Sequence, residues 1–275
     1  MKKLILIISM CTVGYSQCLG DLNEDGIKNV LDIVLLVNDI LDGDDVCEEF
    51  TNVCVDIDGN IYGTVQIGDQ LWMAENLKTT HYNNGDEIQY VESESSEPDI
   101  WEDLSTGAYA MYPTDEDAVS QSTCGDNCAD VYGNLYNWYA VDDGGLCMEG
   151  WHVPSDDEFM ELEMFLGMSE SEANSTGYRG TNEGSKLAGN TDLWDRGGLN
   201  ENTEFGMSGF TGLPSGYRDY GNGNYTSMGI FGSFWSSTEY SSLTAWNREL
   251  EYYTSVVYRF NATKQFGFSI RCLRD

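Results

Sequence analysis

Oxygen-bearing side chains recur at short, regular intervals near the start of the chain: Asp21, Asn23, Asp25, Asn29 and Asp32, with Gly26 among them. Calcium is a hard cation that takes about six to eight oxygens. A loop of about 12 residues supplies them from its first, third, fifth, seventh, ninth and twelfth positions, around a glycine that makes the sharp turn. Counted from Asp21, those positions are Asp21, Asn23, Asp25, Ile27 (through its carbonyl), Asn29 and Asp32, with Gly26 at the turn. Val30, Ile33, Val34, Val37, Ile40 and Leu41 then follow at helical spacing. A loop feeding an amphipathic helix is the context such a motif requires, so Ca2+ is the expected ligand. The plainer alternative is an acidic surface loop ahead of a helix. Asp56-Ile57-Asp58-Gly59-Asn60 begins in the same way, but the later ligand positions do not follow.

Other chemistry is thin. The chain has two histidines, His81 in a polar turn and His152 within the stretch GWHVPS, where packing explains it. No nucleophile elbow or comparable fixed-spacing motif frames a catalytic serine. Carboxylate pairs suited to glycoside hydrolysis could be drawn from the 47 acidic residues in many ways, so no particular choice is informative. The expectation is a protein that is not an enzyme.

Eight cysteines are present. Cys11 falls in an apolar stretch, residues 4–13, which follows Lys2 and Lys3 and is too short to span a bilayer as a helix. With Gly14 and Ser16 behind it, this reads as a signal peptide over residues 1–17, cut near Ser16 or Gln17. Export favours disulfides. Spacing alone does not fix their connectivity. The favoured pairs are Cys124 with Cys128, a local staple, and Cys147 with Cys272, a long closure. Two of Cys18, Cys47 and Cys54 pair, leaving one over. Cys124 and Cys128 lack a nearby second pair of ligands for zinc. The formal net charge of −34 repels nucleic acid and anionic lipid and suits divalent cations and neutral polymers.

The elements that would position these residues divide into a loop-helix over residues 18–46, a linker over 47–52 and a large domain over 53–275. Residues 53–55, 61–67 and 70–73 read as short strands separated by Gly-containing turns. Residues 91–130 are polar and poorly periodic. YGNLYNWYAV, from Tyr132, is aromatic-rich and expected to be buried. A helix begins at Ser155, with Glu158 completing a capping box and Phe159, Leu162, Phe165 and Leu166 as its apolar face. Beyond Gly180, glycine-rich loops separate short aromatic segments. The fold class expected is α+β, with short antiparallel strands, few helices and long loops.

VQIGDQLWMAENLKTTHYNNGDEI, YGNLYNWYAV, GLCMEGWHVPSDDEF, GFTGLPSGYRDY, FWSSTEYS and GFSIRCLRD resemble, in order, the Fibrobacter succinogenes major paralogous domain family. That resemblance implies a fold similar to C-type lectin-like domains and to the formylglycine-generating group. It implies that Cys147 and Cys272 form the long disulfide closing such domains, and that Trp151 and Trp235 anchor the core. It does not carry activities across. The catalytic cysteine pair of the formylglycine-generating enzymes is absent between Cys147 and Cys272. The calcium-and-sugar tripeptides of C-type lectins are also absent, and Trp246-Asn247 is followed by Arg248. The N-terminal pattern, with Asp32 where an EF-hand carries glutamate, resembles a single dockerin type I repeat, whose relatives carry two and dock to cohesin modules. The resulting expectation is a secreted or surface-displayed bacterial protein that binds an extracellular protein or glycan, with no nucleic-acid partner and no transmembrane segment. The alternatives are a component of a polysaccharide-degrading assembly docked to a cohesin-like partner, and an undetected hydrolase.

Overall fold

The structure is a computed structural model that describes residues 53–92 and 100–275. The calcium-loop residues Asp21, Asn23, Asp25, Ile27, Asn29 and Asp32 lie outside the described residues, as do Cys18, Cys47 and the leader. Residues 52–275 form one compact unit. No helix among the described residues is long and apolar enough to cross a membrane.

The unit is mixed α/β, mostly sheet. Val53–Val55 (β1), Ile61–Ile67 (β2) and Gln70–Met73 (β3) form the antiparallel meander expected from their turn signals. Leu273–Arg274 (β14) and Trp151–His152 (β7) complete this sheet in the order β1-β2-β3-β14-β7. The last residues thus close the domain by pairing with its start. Cys147 and Cys272 are bonded beside this closure, across 125 residues.

The largest sheet has the order β10-β9-β11-β12-β13-β8. Its strands are Gly177–Arg179 (β8), Ser215–Arg218 (β9), Tyr225–Met228 (β10), Phe231–Ser241 (β11), Thr244–Glu251 (β12) and Val257–Thr263 (β13). All neighbours are antiparallel except β9 and β11. A third sheet joins Gln89–Tyr90 (β4), Ala108–Ala110 (β5) and Leu135–Tyr136 (β6).

Helices are short. Ala118–Thr123 (α1), Ala129–Tyr132 (α2), Trp138–Asp142 (α3), Glu170–Ala173 (α5) and Glu183–Leu187 (α6) span a turn or two each. Asp156–Phe165 (α4) is the longest described. Its capping box is formed as the sequence indicates: Ser155 Oγ accepts from Glu158 N–H, and Glu158 accepts from Ser155 N–H at 2.7 Å. Its buried face differs from the apolar reading. Phe159 and Leu162 are buried, but Phe165 is 63% exposed and its ring lies over Gly68. Asp156 and Glu163 take the inward positions instead, because they have arginine partners in the sheet.

Three hydrophobic clusters fill the unit. Trp235 is fully buried in the first. Trp151 is half-buried against its margin rather than an interior anchor. Tyr132, Leu135, Tyr136, Trp138, Ala140 and Val141 are buried as expected. The polar reading of residues 91–130 misses a core. Trp101, Ala108, Ala110, Tyr112 and the bonded pair Cys124–Cys128 pack with Tyr132 and Tyr225 in the third cluster. Sparse apolar residues spread over turns leave no periodicity to read, yet they converge in space.

Candidate functional site

The site is built on β12, Thr-Ala-Trp-Asn-Arg-Glu-Leu-Glu. Successive residues of a strand point to opposite faces. Trp246, Arg248 and Leu250 therefore turn one way, and Asn247, Glu249 and Glu251 the other. On the first face α4 supplies the counter-charges. Arg248 donates from Nη1 to Asp156 Oδ1 (2.6 Å) and from Nε to Glu163 Oε1 (2.7 Å). Arg179 donates to both oxygens of Glu163 (2.7 and 2.9 Å). Arg259 donates from Nε to Asp156 Oδ1 at 3.0 Å and stacks over Trp246 at 4.1 Å. Burial works against ionisation of Asp156, but the guanidinium groups of Arg259 and Arg248 outweigh it and hold its carboxyl below the usual range. This face is a paired, buried network, and it orients the strands.

The opposite face has acids without cations. Register places Ser233, Glu249, Tyr258 and Tyr178 in one row across β11, β12, β13 and β8. Asn247 lies beside Phe260 and Trp235, and Glu251 beside Phe231. Asn247, Glu249 and Glu251 are buried, at 0%, 8% and 3% exposure. Trp235 is fully buried in the first cluster, whereas Tyr178, Tyr217, Phe231, Tyr258 and Phe260 are half-buried or exposed. Tyr178, Tyr258 and Phe260 form a ladder with ring centroids 4.5 and 4.6 Å apart. Tyr217 stacks on Phe231 across from it, at 6.3 Å. The result is a sheet face on which aromatic side chains flank and cover buried carboxyls. Gly216 makes the Tyr217 placement possible. With φ +62°, it lets β10 approach so closely that a Cβ there would meet the Thr226 carbonyl at 2.3 Å.

This face is polar in one sense only. Ser233 Oγ donates to Glu249 Oε2 (2.8 Å), and Tyr178 OH donates to Glu251 Oε1 (2.8 Å). Tyr253 OH lies 2.8 Å from Tyr178 OH, continuing the chain to the surface. Asn247 Oδ1 is buried without a hydrogen-bond partner. Among the described residues, neither glutamate forms an ion pair with lysine or arginine. Burial, and then the neighbouring Glu251 charge, push the Glu249 carboxyl up to about 7, against the pull of the Ser233 hydroxyl. The two carboxyls lie within hydrogen-bond range of each other. The two neighbouring carboxyls can therefore share one proton.

The residues singled out from the sequence lie elsewhere. Cys124–Cys128 and Cys147–Cys272 are disulfides, and Cys54 is free and buried. Its thiol is pushed up to about 12 by burial and by Asp56 and Glu75. The Asp56 turn is closed by its own hydrogen bonds. Asp56 accepts from Asp58 N–H, Asn60 N–H, the Asn60 amide and Tyr62 OH. Asp58 Oδ1 meets His81 Nδ1 at 2.5 Å, and burial of Asp58 is outweighed by this contact and those from Thr79 and Thr80, so its pKa is lowered. His152 is not explained by packing. It is 37% exposed and lies between Glu158 (2.9 Å) and Asp275 (2.6 Å). A separate hollow of about 430 Å³ is lined by Tyr82, Asn83, Asn84, Asp86 and Asp143, where Tyr82 OH donates to Asp143 at 2.9 Å.

Glu249 and Glu251 were hidden among the many acids of the sequence. The available signal is Asn247-x-Glu249-x-Glu251 alternating with Trp246-x-Arg248-x-Leu250, which puts acids on one face of a strand and a cation on the other. That signal acquires meaning only once a helix is known to cover the arginine.

No curated protein and no solved structure matches the chain. The family model of the Fibrobacter succinogenes major domain matches residues 65–274, which takes in every strand of the large sheet. On that match the chain belongs to the Fibrobacter succinogenes major domain family.

Proposed function

We propose that this is an exported, non-catalytic binding protein whose ligand contact is the aromatic face of the large sheet, and that the ligand is an extracellular glycan. The observation that carries the reading is the ladder of partly exposed rings, Tyr178, Tyr258 and Phe260, on one face of the sheet. Aromatic surface with a few polar groups is the usual make-up of a ligand site. Catalysis is a poorer reading of the same geometry. Both histidines are engaged by carboxylates of other elements. The lectin-like likeness of the family is consistent with this reading.

The N-terminal loop belongs to the same proposal as a calcium-stiffened module, with Asp21, Asn23, Asp25, the Ile27 carbonyl, Asn29 and Asp32 as ligands. A single dockerin-like repeat offers half of the usual cohesin-recognition surface, so attachment to a cohesin-like partner is the second reading. Calcium titration of the full chain beside Asp21→Ala/Asp32→Ala tests the module, which predicts the loss of one site in the variant. Unchanged stoichiometry removes the loop from the proposal.

For the aromatic face, the full-length protein is screened against immobilised oligosaccharides, neutral and charged, beside Tyr258→Ala. At least one glycan class is expected to be retained. Its binding is expected to fall at least about tenfold in the variant, while the thermal midpoint moves by no more than a few degrees. Retention that Tyr258→Ala leaves untouched, or retention of no glycan, counts against the reading.

A further inference from the structure

We infer that His152 is a pH-operated clasp: as an imidazolium it fastens Asp275, just after β14, to the first turn of α4, and on losing its proton it lets residues 273–275 lift from the sheet.

The geometry requires the charged ring. His152 Nδ1 lies 2.6 Å from Asp275 Oδ1, and Nε2 lies 2.9 Å from Glu158 Oε1. An ionised carboxylate can only accept. A neutral imidazole has one N–H and one bare nitrogen, whereas an imidazolium has two N–H groups. Both contacts are therefore met together by the imidazolium alone. A neutral ring would set a lone pair against one of the two carboxylates. Glu158 is held in place independently, since its Oε2 accepts from the Ser155 N–H (2.7 Å) and the Ser155 hydroxyl (2.8 Å). Among the described residues, no lysine or arginine pairs with Glu158 or Asp275, so the ring is their shared counter-charge.

The charged groups that face the ring are those two carboxylates, one from α4 and one from the end of β14. Arg274 is in register with Trp151 rather than with His152, and successive residues of a strand point to opposite faces. Glu161, further along α4, lies beside the Gln70 amide instead. Trp151 and Val153, on either side of His152, do not titrate. Burial works against the charged ring, but the hydrogen bonds to Asp275 and Glu158 outweigh it and hold the imidazole above its ordinary value of 6.5. Burial also works against ionisation of Glu158, and the bonds from Ser155 and His152 outweigh it, so this carboxyl stays below its usual range.

The part that moves is small and weakly held. β14 pairs with β3 through Leu273 and Trp72, and with β7 through Leu273 and His152 and through Arg274 and Trp151. Beyond it, the Asp275 N–H donates to the Gly150 carbonyl at 3.0 Å. Cys272 is bonded to Cys147, so any release stops at residue 272. Segments with few backbone bonds open locally at a free energy far below that of global unfolding, and here a side-chain clasp is a large share of what opposes opening. Lifting residues 273–275 would uncover Leu273 and Trp72, which are 3% and 0% exposed.

The sign follows from linkage. The closed state binds the His152 proton more tightly than the open one, so the clasp contributes fully below the ordinary imidazole range and is lost as pH rises through the raised value of the closed state. Closure is tighter in mild acid and looser in mild alkali.

The test is amide hydrogen exchange of the full-length protein, read by NMR at about pH 5.5 and about pH 8.5, on either side of the histidine range. Each rate is divided by that of an unstructured chain at the same pH. Protection of the Asp275 N–H is expected to fall at least about threefold from the lower to the higher pH, the size that two partly exposed ion pairs supply. The Trp235 N–H, bonded to the Ser269 carbonyl in the core, is expected to change less. Titration of the two imidazoles in the same samples should place His152 above an ordinary histidine. His152→Gln, which keeps a donor and an acceptor but no charge, is expected to remove the pH dependence at Asp275. The native comparison needs no variant: protection at Asp275 that does not fall with pH, or a His152 that titrates at or below the ordinary value, overturns the clasp. A pH dependence that survives in His152→Gln overturns it equally.

Discussion

Replacing Glu249 by glutamine should make the protein more stable than the native chain at pH 8, and by a much smaller margin at pH 5. Both facts follow from the shared proton. At pH 5 the native Glu249 carboxyl is protonated and donates to Glu251; a glutamine amide does the same. As pH rises, the unfolded glutamate gives up its proton near 4.3, while the folded one holds it to about 7. The folded state then binds more protons than the unfolded state, so stability falls with pH across that window and levels off above it. The rise from 4.5 to about 7 corresponds, at about 1.36 kcal/mol per pH unit, to about 3 kcal/mol as an upper figure. Coulomb's law gives a similar size: two charges ~4 Å apart at an effective dielectric of ~20 repel by about 4 kcal/mol. No large discount for solvent applies, since Glu249 is 8% exposed. The assay is urea denaturation followed by tryptophan fluorescence at steps from pH 5 to pH 8. All seven tryptophans lie between Trp72 and Trp246, so the signal reports this unit alone. The difference between variant and native protein should grow from about 1 kcal/mol at pH 5 to about 3 kcal/mol at pH 8. A difference that stays flat with pH, or grows toward acid, would refute the shared proton and with it the electrostatic picture of this face.

Other outcomes can be checked on the same samples. Glu163 is fully buried between Arg179 and Arg248, so Glu163→Gln strands Arg179, while Arg248 keeps Asp156, and should cost about 3–5 kcal/mol, whereas the exposed Glu161→Gln on the same helix should cost under ~0.5 kcal/mol. Denaturation curves decide, and equal costs for the two variants would show that the network contributes nothing. Removing the long disulfide as Cys147→Ser/Cys272→Ser frees a loop of 125 residues, and loop entropy sets the loss at about 4–5 kcal/mol; a loss below ~1 kcal/mol would mean that the sheet pairing of β14 closes the domain unaided. Cys54, 7% exposed and with its thiol pushed up to about 12, should resist iodoacetamide at pH 8 until the protein is unfolded. Mass spectrometry of the Cys54 peptide reads this, and rapid native labelling would contradict its burial.

Local features are legible along the chain itself. The strands 53–55, 61–67 and 70–73 stand between turn glycines, and two of these, Gly59 and Gly68, adopt the positive φ that such turns require. The Ser155 capping box is spelled out by two residues three apart, and its energy comes from bonds made within that one turn. Short range is what makes both legible. The segment 100–132 fails the same test because its apolar residues share no period along the chain and meet only through the third cluster. Glu163 and Glu249 show the limit most sharply. Each is a glutamate in an acid-rich chain, and each is buried. What separates them is which side of one sheet they occupy. Glu163 lies on α4 against two arginines. Glu249 lies opposite, beside a second carboxylate and among aromatic rings. Sequence by itself determined the family, the capped helix and the meander, because those rest on motif order and local bonds. Tertiary structure alone decided which acids are paired with arginine and which are not, because charge compensation depends on neighbours brought from far along the chain.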